Sequence, residues 1–319
     1  GTLVSPDGIH WTLESAFTNP DVCDIAHFYQ EPTDGSFVMH SRTKLTPETN
    51  DGRWATWQWG RAVARIDSPD FRTWTREKLV FAADHLDPEG TEIYSLAVFP
   101  YAGRYLGLSQ MFYGLTTQGR LDMQLVTSPD AWTFNRVEPR VPFIAEGDVG
   151  SWDRFNIAVG DMPPIDVGDE HWFYYSARNY RHGPYDGPDT AADRWSAIGL
   201  ARTPHGRFLA LEASFDGGTV ISTPFLLTGD ALSINANTRY GSIDVELLTA
   251  QDAPDQECRT VTVTGEDGTA VPVEFADGVL AQHTGQTVQA RFTLRNAQLY
   301  GFTICCPAVC LPHHDACLV

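Results

Sequence analysis

The sequence predicts an all-β chain, with blades of a β-propeller over residues 1–218, a β-sandwich over 219–303 and an irregular tail over 304–319. Three observations carry this reading. A turn motif containing Trp recurs with a period of about sixty residues. Short aromatic-rich segments separated by turn residues fill each interval, with no 3.6-residue apolar spacing between them. Beyond residue 218 the Trp motif ends and strict alternation of apolar and polar residues begins.

The repeat is read first. Ser5-Pro6-Asp7-Gly8-Ile9-His10-Trp11-Thr12 returns as Ser68-Pro69-Asp70-Phe71-Arg72-Thr73-Trp74-Thr75, and in shorter form as Ser128-Pro129-Asp130-Ala131-Trp132-Thr133. Pro fixes φ at the start of a tight turn, and Asp accepts hydrogen bonds from the amides that follow. The Trp is a large apolar body suited to filling the space between neighbouring sheets. Between the turns, segment order repeats as well. The segments Asp24–Tyr29, Glu92–Phe99 and Arg154–Val159 each lead a unit. Aromatic-rich segments follow at Phe37–Ser41, Tyr105–Tyr113 and His171–Ser176, and a third segment enters the turn at Arg61–Ile66 and Asp122–Thr127. In the last unit Ala197–Ala201 takes this place, and the turn has decayed to Thr203-Pro204-His205-Gly206. Units of three or four strands read as propeller blades. Three blades are fewer than a closed propeller contains, and Leu3–Asp7 corresponds to the end of a unit, so blades are expected to precede residue 1.

The second domain is read from Ser242–Leu248 and Val288–Leu294, which alternate cleanly and predict an antiparallel sandwich. In the tail, Cys305, Cys306, Cys310 and Cys317 lie close to His313 and His314. Thiols and imidazoles at that density can bind Zn²⁺, but the spacing matches no paired CxxC pattern, and the tail is read as irregular.

Composition restricts the partners. The formal net charge of −19 argues against a nucleic-acid backbone as ligand. No run of about 18 apolar residues exists, so no membrane-spanning helix is expected. The chain opens on Gly1-Thr2-Leu3-Val4, with no targeting segment to read. No Gly-rich nucleotide loop, His-Glu-x-x-His helix or Gly-x-Ser-x-Gly elbow occurs, so neither a cofactor nor a metal is expected in the blades.

The turn Ser5–Thr12, the segment Gly60-Arg61-Ala62-Val63-Ala64-Arg65, Gly150-Ser151-Trp152-Asp153 and Leu294-Arg295-Asn296-Ala297-Gln298-Leu299-Tyr300 together resemble bacterial proteins related to the invertase- and levanase-like glycoside hydrolases. These belong to a superfamily of five-bladed propellers shared with arabinanases, and many carry a C-terminal β-sandwich. The resemblance covers residues 1 to about 303. It implies that about two blades precede this chain, and that a first-blade nucleophile would lie there. The Trp-Met-Asn-Asp-Pro-Asn-Gly, Arg-Asp-Pro and Glu-Cys signatures of the invertase-like enzymes do not occur in a matching context. Roles are therefore assigned by position and not by motif.

Glycoside hydrolysis needs two carboxyl groups flanking the scissile bond. The chain places an acidic residue near the start of the leading segment of each unit, at Asp24, Glu92 and Asp153. Glu92 is the preferred general acid, because Ile93, Tyr94 and Leu96 beside it would raise its pKa by desolvation. Asp24 would orient the sugar or act on Glu92 by like-charge repulsion. Asp153 would hold a hydroxyl, with Trp152 as a stacking platform. His27, Arg42, Arg61, Tyr94 and Arg154 lie near these segments as candidate substrate contacts, and structural ion pairs are the plainer role for the arginines. The loop Arg178–Gly183 could rim a pocket, and Trp54, Trp57 and Trp59 could form a sugar-stacking wall or bury an excursion between strands. The leading expectation is thus a furanosidase-like glycoside hydrolase acting on carbohydrate at the axial funnel. The alternatives are a non-catalytic glycan-binding propeller and an incomplete fragment with exposed apolar blade edges.

Overall fold

The three Ser-Pro-Asp segments fold into one repeated device, and its hydrogen bonds explain the motif. In each copy the Ser hydroxyl donates to the Asp Oδ1, while that oxygen accepts two backbone N–H groups further on: Ile9 and His10 on Asp7, Arg72 and Thr73 on Asp70, Trp132 and Thr133 on Asp130. These amides, with His10 foremost, hold the Asp7 carboxyl below the usual carboxylate range, and the Thr73 amide does the same for Asp70. The residue after Asp takes a left-handed backbone in every copy, at Gly8 (φ 74°), Phe71 (φ 61°) and Ala131 (φ 55°). Only the first copy relieves that conformation with glycine.

The computed structural model describes residues 2–15, 23–50, 52–54, 60–114, 119–160, 163–183, 193–249, 260–276 and 278–305. The expectations that rest on Trp57, Trp59, Cys258 and the tail beyond Cys305 lie outside these residues. The chain is almost entirely strands and forms two compact units, residues 1–165 with 172–201, and residues 166–171 with 202–319. Among the described residues no helix is long and apolar enough to cross a membrane.

The first unit opens with a hairpin, Thr2–Val4 against Thr12–Ser15. A four-stranded antiparallel blade follows in chain order: Ala26–Gln30, Phe37–Lys44, Arg61–Ser68 and Lys78–Phe81. The second blade repeats the arrangement with Thr91–Tyr101, Arg104–Tyr113 and Arg120–Ser128, and the short strands Asn135–Arg136 and Pro142–Ile144 complete its outer side. In the third, Asn156–Val159 pairs with Glu170–Arg178, which also carries Ile165–Val167 and Ser196–Pro204. A parallel bridge between Asn156 and Leu121 joins the second and third blades into one curled sheet.

Buried apolar side chains fasten the first two blades face to face. Val38, Val63, Val80 and Phe81 of the first form one core with Ile93, Leu96, Val98, Met111 and Val126 of the second. Burying each such side chain contributes roughly 1.5–3 kcal/mol. Arg65 adds a polar link, donating to the carbonyls of Asp130 and Ala131 and covering the Trp132 ring at 4.2 Å. The motif Trp residues therefore do not share one role. Trp74 packs inside its own blade against Phe28 and Phe71, Trp132 meets Arg65 of the neighbouring blade, and Trp11 is exposed. Trp54 is buried edge-on to Phe81, so it fills an excursion between strands. Ile198, Leu200 and Tyr174 of the third blade are exposed.

The second unit is a β-sandwich. One sheet runs Leu211–Ala213, Ala297–Cys305, Ala231–Asn237, Asp267–Pro272. The other places Gly218–Ile221 and Phe225–Leu226 on Thr287–Arg295, followed by Ser242–Thr249 and Thr260–Thr264. The alternation read from the sequence is present as alternating burial along Ala231–Asn237, Ser242–Thr249 and Thr287–Arg295. Their inward residues, among them Ile234, Val245, Phe292, Leu299 and Phe302, make a single core between the sheets. A five-residue helix, Val279–His283, contributes Leu280 to it.

Candidate functional site

The inner strands of the first two blades, and the loop after Glu170–Arg178, bring polar and aromatic groups to the start of Thr91–Tyr101. Glu92 is the second residue of that strand and is 6% exposed. Its Oε2 accepts from the Arg61 backbone N–H at 3.1 Å and from Arg61 Nη1 at 2.6 Å. Gly60 makes this approach possible, since a Cβ there would stand 2.7 Å from Glu92 Cδ. The carboxyl thus faces a cation and an amide. It does not lie in the purely apolar setting that its sequence neighbours predicted, because Ile93 points to the opposite face of the strand.

Tyr94 is the centre of the cluster. A register shift between Ile93 and Ser95 sets it off from the ladder, and its ring lies beside Phe112 and His182. Its hydroxyl is 2.7 Å from His182 Nε2. The guanidinium carbons of Arg42 and Arg61 lie 4.9 and 5.4 Å from the ring centroid, and Arg61 also lies 5.0 Å from the Phe112 centroid. Arg42 in turn pairs with Asp24, whose side chain is 68% exposed two residues ahead of the first inner strand. Burial lowers the His182 pKa, and Arg61, Arg178 and Arg42 lower it further. Asp24, Arg42, Arg61, Glu92 and Tyr94, singled out from sequence, therefore stand together.

The candidates of the third blade form a separate group around one turn. Asp153 accepts from the Ser151 hydroxyl at 2.7 Å and from the Tyr175 hydroxyl at 3.1 Å. Trp152 stacks on Tyr175, with centroids 5.6 Å apart and planes at 21°, and it also lies beside Trp195. Arg154 donates to the Gly147 carbonyl and covers Phe155. His27 is 6% exposed, opposite His40 in the strand pair, and belongs to the interior of the first blade.

His182, in the loop Arg178–Gly183 that the sequence offered as a pocket rim, completes the cage around Tyr94 together with Phe112. Phe112 and Asp122 were not singled out from the sequence. Asp122 is 4% exposed in Arg120–Ser128, with its Oδ1 3.3 Å from the Tyr113 hydroxyl. Burial, reinforced by Glu146, pushes its pKa up to about 7, against the opposing pull of Tyr113, Arg120 and Arg136. The one available signal was an Asp between Leu121 and Met123 in an otherwise apolar strand.

In the second unit Asp166, His171 and His205 bring possible ligand atoms within 4.8 Å of one another. The His171 ring is already engaged on both sides, with Nδ1 2.5 Å from Asp166 Oδ1 and Nε2 accepting the Gly206 N–H at 3.0 Å. That pattern satisfies a buried neutral imidazole without a metal.

No protein-family model and no curated protein matches this sequence. Solved structures similar to it include an N-acetylgalactosamine deacetylase from F. plautii, 20% identical, TM-score 0.41, covering 57% of this chain and 50% of that one. They also include the GH32 β-fructofuranosidase of Bombyx mori, 9% identical, TM-score 0.39, covering 96% and 72%. A GH43 arabinoxylan arabinofuranohydrolase from Bacillus subtilis is 10% identical, TM-score 0.29, covering 87% and 66%. The chain spans about half the length of the first of these structures. Glycoside hydrolases of the invertase-like and arabinanase-like types, which the sequence resembles, are both among its structural neighbours.

Proposed function

We propose that the chain is a carbohydrate-active enzyme of glycoside hydrolase type, with Glu92 as its acid–base carboxyl. One observation carries this reading. Glu92 is buried at the head of an inner strand, where glycine at position 60 leaves room for it and two donors from Arg61 fix one of its oxygens. A carboxyl held in that way can exchange a proton with a glycosidic oxygen from a defined position. Tyr94, part-exposed and backed by the buried Phe112, provides an aromatic ring beside it against which a sugar can lie, and Arg42 holds Asp24 nearby as the second carboxylate. In the same proposal Asp153 and Trp152 bind a sugar hydroxyl and a ring face at the third blade, and furanosides are the substrates that the sequence resemblance favours.

The test is sugar release from a panel of fructans, arabinans and aryl glycosides. The Glu92→Gln variant keeps the shape of the side chain and removes its acid–base chemistry. Its turnover is expected to fall by at least about a hundredfold, with folding retained. Turnover unchanged in Glu92→Gln would end the assignment. Glycan binding without turnover in either protein would establish the non-catalytic alternative.

A further inference from the structure

Beside the site described above the first unit gathers arginines on its aromatic rings, and two of these arginines, Arg42 and Arg61, are already paired with Asp24 and Glu92. Three aromatic rings of the first unit each carry two arginines. Tyr94 has Arg42 and Arg61 at 4.9 and 5.4 Å, and Phe155 has Arg154 and Arg181 at 5.4 and 5.3 Å. Tyr180 has Arg178 and Arg194 at 5.6 and 5.2 Å.

The three sets adjoin. The Phe155 N–H donates to the Arg178 carbonyl, and the loop that follows delivers His182 to the Tyr94 hydroxyl. The same loop is anchored where the His182 N–H donates to the Gly119 carbonyl. These six arginines are drawn from only 22 Lys and Arg, in a chain with 41 Asp and Glu. Burial is the first cause of the lowered His182 pKa, and Arg61, Arg178 and Arg42 lower it further, which places three of the guanidinium groups within electrostatic reach of this ring.

From this clustering we infer that the substrate of the site is an anionic glycan, whose carboxylate or sulfate groups dock against arginines mounted on aromatic faces. This rests on the reading of the site as glycan-acting, and adds the charge class of the glycan. A guanidinium stacked on a ring keeps its planar fork of N–H donors edge-on, and that fork matches a carboxylate or sulfate bidentately. The net charge of −19 opposes an anionic polymer at long range, but beyond about 8–10 Å that repulsion is screened at physiological salt. The arginines therefore act as a contact filter and not as a steering field. They select acidic over neutral chains.

Calorimetric titration of the intact protein tests this with three probes: a short oligogalacturonate, its fully methyl-esterified form, and a sulfated galactan oligosaccharide of matched length. At least one anionic probe is expected to bind about tenfold tighter than the methyl ester. Whether uronate or sulfate shows the preference identifies the source of the charge. Arg178→Gln is expected to collapse the ratio of acidic to neutral affinity toward one. Arg178→Lys, which keeps the charge without the bidentate fork, is expected to retain only part of it, and circular dichroism of both variants checks that the fold is kept. Equal binding of all three probes by the wild type would overturn the inference and leave the glycan reading in place. Binding of none would overturn the inference, and the glycan reading would then be decided separately by the sugar-release panel.

Discussion

Replacing Asp122 by Asn should stabilise this protein at neutral pH, and the gain should vanish in acid. The Asp122 carboxyl is buried, its pKa is pushed to about 7 by that burial, with Glu146 adding to it against the Tyr113 hydrogen bond, and its ordinary value is 3.8. Between those values the folded chain holds a proton that the unfolded chain has released. Stability therefore falls as pH rises from about 4 to about 7, by about 1.4 kcal/mol per unit. Across the window this amounts to roughly 4 kcal/mol, an upper figure since the interior relaxes around the charge. Asn is neutral throughout and its Oδ1 can still accept the Tyr113 hydroxyl, which now lies 3.3 Å from Asp122 Oδ1. Urea unfolding of both proteins at steps from pH 4 to pH 8 gives the difference in free energy directly. The two should be equally stable near pH 4, diverge through pH 5 and 6, and run parallel above about pH 7. A difference that does not change with pH would refute the reasoning, because it would mean that Asp122 ionises as readily in the fold as in the unfolded chain.

Three further outcomes are expected. Arg136 and Asp87 form an ion pair in which both side chains are at most 5% exposed. Arg136→Met should cost about 3 kcal/mol in urea unfolding, softened by the second contact of Asp87 with Arg140. Gly60→Ala would drive a methyl into Glu92, whose Cδ would be 2.7 Å away. The carboxyl can swing aside, so turnover should drop about tenfold, as measured on whichever glycan the wild type cleaves, while Tm changes little. At Gly241 an added Cβ would collide with the backbone oxygens of Arg295 and Asn296, which cannot swing aside. Gly241→Ala should therefore lower the sandwich's stability by about 2–3 kcal/mol, visible as a reduced Tm.

What the sequence determined by itself was everything recorded within a few residues. Asp70 reaches the amides of Arg72 and Thr73, and the same contacts recur at Asp7 and Asp130, so the turns and their period were readable in a linear text. Alternation along Ser242–Thr249 was readable because one face of a sandwich strand is dry and the other wet. Glu92 was found by the place it shares with Asp24 and Asp153 at the start of successive units, which is also a property of the repeat, and Arg61 by its nearness to those segments.

Tertiary structure decided the partners. Arg61 and Glu92 are 31 residues apart, and His182 comes to Tyr94 across 88. Nothing local distinguishes Trp74, packed within its blade, from Trp132, covered by Arg65 of another, or from Trp11 in solvent. Asp122 looks like any strand aspartate until the second blade packs around it. Desolvation and charge pairing depend on which distant segments close over a group. Those terms are set by the assembled blades, while backbone capping and side-chain alternation are set by neighbours in the chain.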